Sequence, residues 1–277
     1  MMTTMAAPWY HGKRNHEYTM PNLPPVSLPW LNLSVPIQQT RQWLATPKVY
    51  PKDQHHAVLY PGLATPATSL ALLHLALQSK GVVCHEWEQG FNTGITPDVE
   101  KKALEHLTRL MKAHPHAKWH LIGWSLGGLL AREMAKALPA RGLKCTSVAT
   151  MGTPINNMPD NQRVLTIYRL FNKELPADDI FFHKNLFVSP PCRSLSIYSR
   201  QDAIVPWRAC IQSPLHKGHR VAMNHEVSPG HLAMINHPTT WSTLVQWISN
   251  AHTLANTHYQ AHAEEETGAY WKERQAA

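Results

Sequence analysis

The stretch from Lys118 to Leu130, KWHLIGWSLGGLL, constrains the fold of this chain more than any other. It reads as a buried strand through Trp119, Leu121 and Ile122, a sharp turn at Gly123-Trp124-Ser125-Leu126-Gly127, and a helix carrying Leu129, Leu130, Ala131, Met134 and Ala135. A turn this tight forces the central serine outward and leaves no space for side chains two positions to either side. Glycine is therefore needed at both Gly123 and Gly127. The helix that starts just past Ser125 aims its unpaired N–H groups and positive dipole end at any anion that forms beside the hydroxyl. Ser125 is the candidate nucleophile. G-x-S-x-G also arises by chance, as a glycine-serine loop without chemistry; the strand before it and the helix after it set this instance apart.

A chain of 277 residues is long enough to bury one large core, and one domain is expected. The formal charge of +8 and pI near 9.4 would permit a nucleic-acid partner. Lys and Arg come singly or in pairs, as at Lys13-Arg14 and Lys101-Lys102, and never form a run, so the balance reads as a mildly basic surface with no nucleic-acid partner. Positive charge and ten tryptophans motivate membrane-surface action as a minor reading. Nineteen histidines mean that net charge climbs steeply below about pH 6.5. The cysteines Cys84, Cys145, Cys192 and Cys210 lack metal-ligand spacing. A reduced compartment is the simplest inference from them, with a Cys192 to Cys210 bridge left open. No apolar core for a signal peptide follows the first residues, and no segment reaches the ~18 uninterrupted apolar residues of a membrane span. The expectation is a soluble, cytoplasmic protein.

Along the chain, residues 1–36 are proline-rich and polar and read as an extended arm. Residues 37–250 form the expected domain. After a short helix from Ile37 to Leu44, strands at His56 to Tyr60, Val82 to Trp87, the central Trp119 segment and Thr146 to Met151 alternate with helices at Ala67 to Lys80, Pro97 to His114, and past Ser125 to near Pro139. That alternation predicts an α/β fold, a mostly parallel sheet with helices on both faces. Residues from about 155 to 193 interrupt the rhythm and read as a small cap insertion, with Val164, Leu165, Tyr168, Phe171 and Leu175 at helical spacing. Ser194 to Ser199 resumes the sheet, His219 to Met223 reads as its last strand, and Pro238 to Ser249 as a closing helix. Residues 251–277 form a polar tail.

A serine hydroxyl near neutral pH needs an adjacent base and a third group to orient that base. Asp202 follows a strand directly, where a loop residue reaches the carboxyl edge of the sheet. His231 lies in Ser228-Pro229-Gly230-His231-Leu232, between the last strand and last helix. Asp178, Asp179 and Glu226 are alternative acids, and His237 and His225 alternative bases. GWSLGG, the strand ending in Gly152-Thr153-Pro154, SIYSRQDAIVPW and GHLAMINHP occur in an order that resembles bacterial α/β-hydrolases of the lipase and esterase type, over about residues 55–250. The resemblance implies the α/β-hydrolase fold and a Ser125, Asp202, His231 triad in the order nucleophile, acid, base. The oxyanion loop, His-Gly-rich in some families, is here Tyr60-Pro61-Gly62-Leu63, so the backbone N–H of Leu63 is expected to pair with that of Leu126. Trp124 and Trp87 read as buried structural tryptophans near the pocket.

The expected chemistry is hydrolysis of a small-molecule carboxylic ester with an apolar acyl group, needing no cofactor and no metal. Thioesterase, amidase and acyltransferase activities share the same triad, and a binding module that keeps the fold without catalysis is the non-enzymatic alternative.

Overall fold

The computed structural model of the protein describes residues 37–49, 54–156, 188–212, 216–217 and 220–249. The 1–36 arm, the 251–277 tail and most of the 155–193 insertion, including its helical stripe, lie outside the described residues.

The strands are β1 (His55–Tyr60), β2 (Val83–Glu86), β3 (Lys118–Trp124), β4 (Ser147–Met151), β5 (Arg193–Tyr198), β6 (His216–Lys217) and β7 (Arg220–Glu226). They form one seven-stranded sheet in the order β2-β1-β3-β4-β5-β7-β6, all parallel except β6, which adds antiparallel to β7 at the edge. Among the described residues the helices are α1 (Ile37–Ala45), α2 (Ala71–Ser79), α3 (Pro97–Ala113), α4 (Leu126–Ala137), α5 (His231–Met234) and α6 (Pro238–Ile248).

Side chains alternate across a strand, so β1 sends Val58 and Tyr60 to one face and Ala57 and Leu59 to the other. On the first face they meet Leu107 of α3 and Leu129, Leu130 and Met134 of α4. On the second they meet Leu73 and Leu77 of α2 and Leu244, Val245 and Trp247 of α6. Burial on both faces explains why β1 reads as a continuous apolar run. Helix α3 opens where the sequence predicts: Pro97 needs no hydrogen-bond partner in the first turn, and the Thr96 side chain accepts from the Val99 N–H at 3.2 Å.

The last strand is longer than expected, continuing past Met223 to Glu226 in register with β5. Polarity hid this extension. Asn224 remains in the strand because its side chain is satisfied by Gln212, whose N–H donates to Asn224 Oδ1 at 3.0 Å and whose carbonyl accepts from Asn224 Nδ2 at 2.8 Å. The cysteine neighbours also differ from the pairing left open above. Both cysteines are free thiols in this structure, and the Cys145 thiol donates to Cys192 Sγ at 3.3 Å.

The amino ends of β1 and β3 carry a stack of imidazoles. His55 Nδ1 lies 3.0 Å from His120 Nε2, and His120 Nδ1 lies 2.8 Å from Ser147 Oγ. His56 Nδ1 lies 3.0 Å from His85 Nε2, with the His114 and Trp119 rings against it. Burial, followed by the neighbouring His56, His114, His106 and His74, pushes His85 down to about 4. Burial holds His120 well below the ordinary histidine range, helped by His55, Arg193, Lys118 and His56. Because the folded pKa values lie below the unfolded ones, the unfolded chain takes up protons first as pH falls. The stabilising contribution is complete above about pH 6.5 and is lost toward pH 4. The thermal midpoint should therefore be flat from pH 8 to 7 and already falling between pH 6.5 and 5, before carboxylates titrate. A midpoint unchanged down to pH 5 would contradict this.

Candidate active site

The site is built at the carboxyl edge of the sheet. Ser125 links the last residue of β3 to the first of α4 with φ 53° and ψ −125°, a conformation that non-glycine residues seldom adopt. It is held there by the surrounding backbone. The Ser125 N–H donates to the Met151 carbonyl at the end of β4 at 2.8 Å. A Cβ at Gly123 would run into the backbone of Gly127 and Gly128, and one at Gly127 into the carbonyl oxygens of Tyr60 and Pro61. Both glycines are thus required by close approach, which lets α4 begin directly against the loop after β1.

Asp202 occupies the turn after β5. Its Oδ1 accepts from the N–H groups of Ile204 at 2.9 Å and Val205 at 2.8 Å, leaving Oδ2 to meet His231 Nδ1 at 2.7 Å. The two side chains are 1% and 5% exposed, so the pair is shielded from competing water. With Nδ1–H directed at a carboxylate, the nitrogen left as proton acceptor is Nε2. A Cβ at Gly152 would lie 2.9 Å from His231 Nδ1 and 3.0 Å from Asp202 Oδ2. Met151 and Gly152 therefore bring the Ser125 turn and the Asp202–His231 pair to the same strand end.

Trp124 does more than fill space beside the turn. Its indole N–H donates to the His231 carbonyl at 3.2 Å, and the two rings lie 5.4 Å apart. Its opposite edge faces Gly62, where a Cβ would fall 2.8 Å from the ring. One side chain thus touches His231, which the structure makes the first residue of α5 and not a loop residue, and the loop carrying Leu63. Trp87 is a core residue, 1% exposed, with its indole donating to the Gly90 carbonyl at 3.1 Å.

Two of the alternative residues, Glu226 and His237, have other partners. Glu226 accepts from Arg200 Nε at 3.2 Å and from the Tyr198 hydroxyl at 3.3 Å. His237 caps α6, its Nδ1 accepting from the Thr239 N–H at 3.3 Å. His225 lies on β7 opposite Ile197, and burial lowers its pKa. Asp178 and Asp179 lie outside the described residues. Leu63 sits in the loop after β1, and Leu126 is the first residue of α4.

Sequence reasoning passed over two residues that bind the Leu63 loop, Thr65 and Asn92. The Thr65 hydroxyl donates to the Gly62 carbonyl at 2.7 Å, and Asn92 Nδ2 donates to the Pro61 carbonyl at 2.7 Å. Nothing in the local pattern pairs Asn92 with Pro61, because that contact joins the loop after β1 to the loop after β2; the Thr65 contact is local, reaching three residues back within one loop. Among the described residues, no group of three or more His, Cys, Asp or Glu side chains is placed to hold a metal ion, and no helix is long and apolar enough to cross a membrane.

The comparisons with known proteins agree with this architecture. The model of the family described as "Thioesterase domain" matches residues 68–166, a segment that contains the Ser125 turn and stops short of Asp202 and His231. Among solved structures, the monoacylglycerol lipase of Paleococcus ferrophilus superposes with a TM-score of 0.50 at 15% identity, covering 72% of this chain and 95% of that one. The chain has the α/β-hydrolase fold. The RedJ thioesterase of Streptomyces coelicolor is also similar, with a TM-score of 0.47 and 14% identity over 74% of this chain and 92% of that one. Among curated proteins, Malpibaldin synthetase of Mortierella alpina is 36% identical over 59 residues, 21% of this chain. Malpinin synthetase of the same organism is 25% identical over 104 residues, 35% of this chain. Each match spans 1% of the synthetase's own length.

Proposed function

We propose that this α/β-hydrolase is a serine acyl hydrolase that cleaves a carboxylic ester through a covalent acyl-enzyme. The observation that carries the reading is the buried 2.7 Å contact between Asp202 Oδ2 and His231 Nδ1, set at the strand end that also binds the Ser125 N–H. Ser125 Oγ attacks the acyl carbonyl while His231 Nε2 takes its proton. Asp202 keeps the imidazole in the required tautomer and stabilises the imidazolium. The tetrahedral oxyanion is met by the backbone N–H groups of Leu63 and Leu126, the second backed by the dipole of α4; each such donor is worth about 3 kcal/mol in comparable sites. The imidazolium returns its proton to the departing alcohol as the carbon–oxygen bond breaks. Water, deprotonated by the same histidine, then attacks the acyl-enzyme, releasing the acid and restoring Ser125.

A second reading, a thioester substrate, is favoured by the family match over residues 68–166. The machinery is unchanged; a thiol leaves in place of the alcohol. A panel of p-nitrophenyl esters of increasing chain length, assayed beside the matching acyl thioesters of N-acetylcysteamine and coenzyme A, separates the two. The ester reading expects higher kcat/KM for the esters. A preference for every thioester would replace it with the thioesterase reading, and turnover of neither series by folded protein would overturn both.

A further inference from the structure

We propose that Asn92 and Thr65 are positioning residues that set the direction of the Leu63 N–H, the oxyanion donor in the reading above, on which this inference rests. Three successive peptide groups of the loop after β1 are each held by one of them. The Pro61 carbonyl accepts from Asn92 Nδ2 at 2.7 Å, the Gly62 carbonyl accepts from Thr65 Oγ1 at 2.7 Å, and the Ala64 N–H donates to the Asn92 carbonyl at 2.7 Å. The middle one decides the matter. In a trans peptide the N–H points opposite to the C=O, so turning the Gly62 carbonyl toward Thr65 turns the Leu63 N–H the other way.

The clamp is anchored independently of Leu63. Asn92 is 1% exposed; its N–H donates to the Thr65 carbonyl at 2.9 Å and its Oδ1 accepts from the Gly94 N–H at 3.0 Å. Pro66 and Phe91 complete a short antiparallel bridge between the two loops. On the far side, the Pro61 oxygen held by Asn92 is one of the atoms that a Cβ at Gly127 would strike. The loop is thus fixed between Asn92 and the turn bearing the nucleophile. An unclamped loop could rotate its peptides at little cost, and a donor that must reorganise during reaction stabilises the transition state less.

Asn92→Asp tests this while sparing the local turn. The aspartate keeps an oxygen for the Gly94 N–H but places a second oxygen, not a donor, against the Pro61 carbonyl. Thr65→Val removes the hydroxyl that donates to Gly62 and, at 3.4 Å, accepts from the Ser69 hydroxyl, and it carries the test should Asn92→Asp fail to fold. Each variant would be assayed for kcat, KM, thermal midpoint and inhibition by an alkyl trifluoromethyl ketone, which forms an oxyanion on the serine. Expected are a fall in kcat of about a hundredfold for Asn92→Asp and about tenfold for Thr65→Val. Ketone affinity should weaken by the same factors, while KM stays within about twofold. A lowered midpoint with kcat and ketone affinity intact in the folded variants would overturn the positioning role alone. Failure of wild-type protein to react with a fluorophosphonate would instead remove the nucleophile, and this inference with it.

Discussion

Ser125→Ala should lower turnover about a million-fold on the best substrate of the panel while leaving the fold in place, as expected when the attacking atom of a unit acting together is removed. The alanine has no hydroxyl to deprotonate, so what remains is whatever the backbone donors of Leu63 and Leu126 and substrate binding can do alone. The structure argues against a collapse on substitution. The backbone holds the turn, through the Ser125 N–H on Met151 O and the Gly128 N–H on Ser125 O at 3.0 Å, and both bonds survive in alanine. The measurement is kcat beside a thermal melt; a loss under tenfold in a folded variant would move the nucleophile elsewhere.

Asp202→Asn should lower kcat about ten-thousand-fold, again with folding intact. Asparagine keeps a side-chain oxygen for the Ile204 and Val205 N–H groups, so the turn after β5 persists. What changes is the atom facing His231 at 2.7 Å. An amide NH2 there makes Nδ1 an acceptor, which puts the imidazole proton on Nε2 and leaves no base for the serine hydroxyl. The charge that would stabilise the imidazolium is lost as well. Folded Asp202→Asn with less than a tenfold loss would show that another carboxylate orients the base.

These two experiments rest on residues that could be read from the sequence, and the reason is local. The Ser125 turn is encoded by neighbours in the chain: apolar residues before it, two glycines whose missing Cβ atoms let three backbone segments meet, and a helix behind it. The parallel sheet was legible for a similar reason, since β1 and β3 are buried on both faces and read as short apolar runs. The carboxyl half of β7 was not, because Asn224, His225 and Glu226 look like loop residues until Gln212 and β5 supply their partners. The Leu63 clamp was hidden for the same cause. Asn92 lies 31 residues from Pro61, and an asparagine between glycines looks the same whether it merely turns the chain or holds another loop. Trp124 falls between these cases: its place beside the turn follows from sequence, but its simultaneous contact with Gly62 and His231 belongs to the tertiary structure.

The most direct test of the account is to treat the folded protein with a fluorophosphonate probe and map the adduct by peptide mass spectrometry. The account predicts one phosphonylated residue, Ser125, with labelling abolished by Ser125→Ala and slowed by Asp202→Asn. Folded wild-type protein that stays unlabelled, or that carries its adduct on a different side chain, would contradict it.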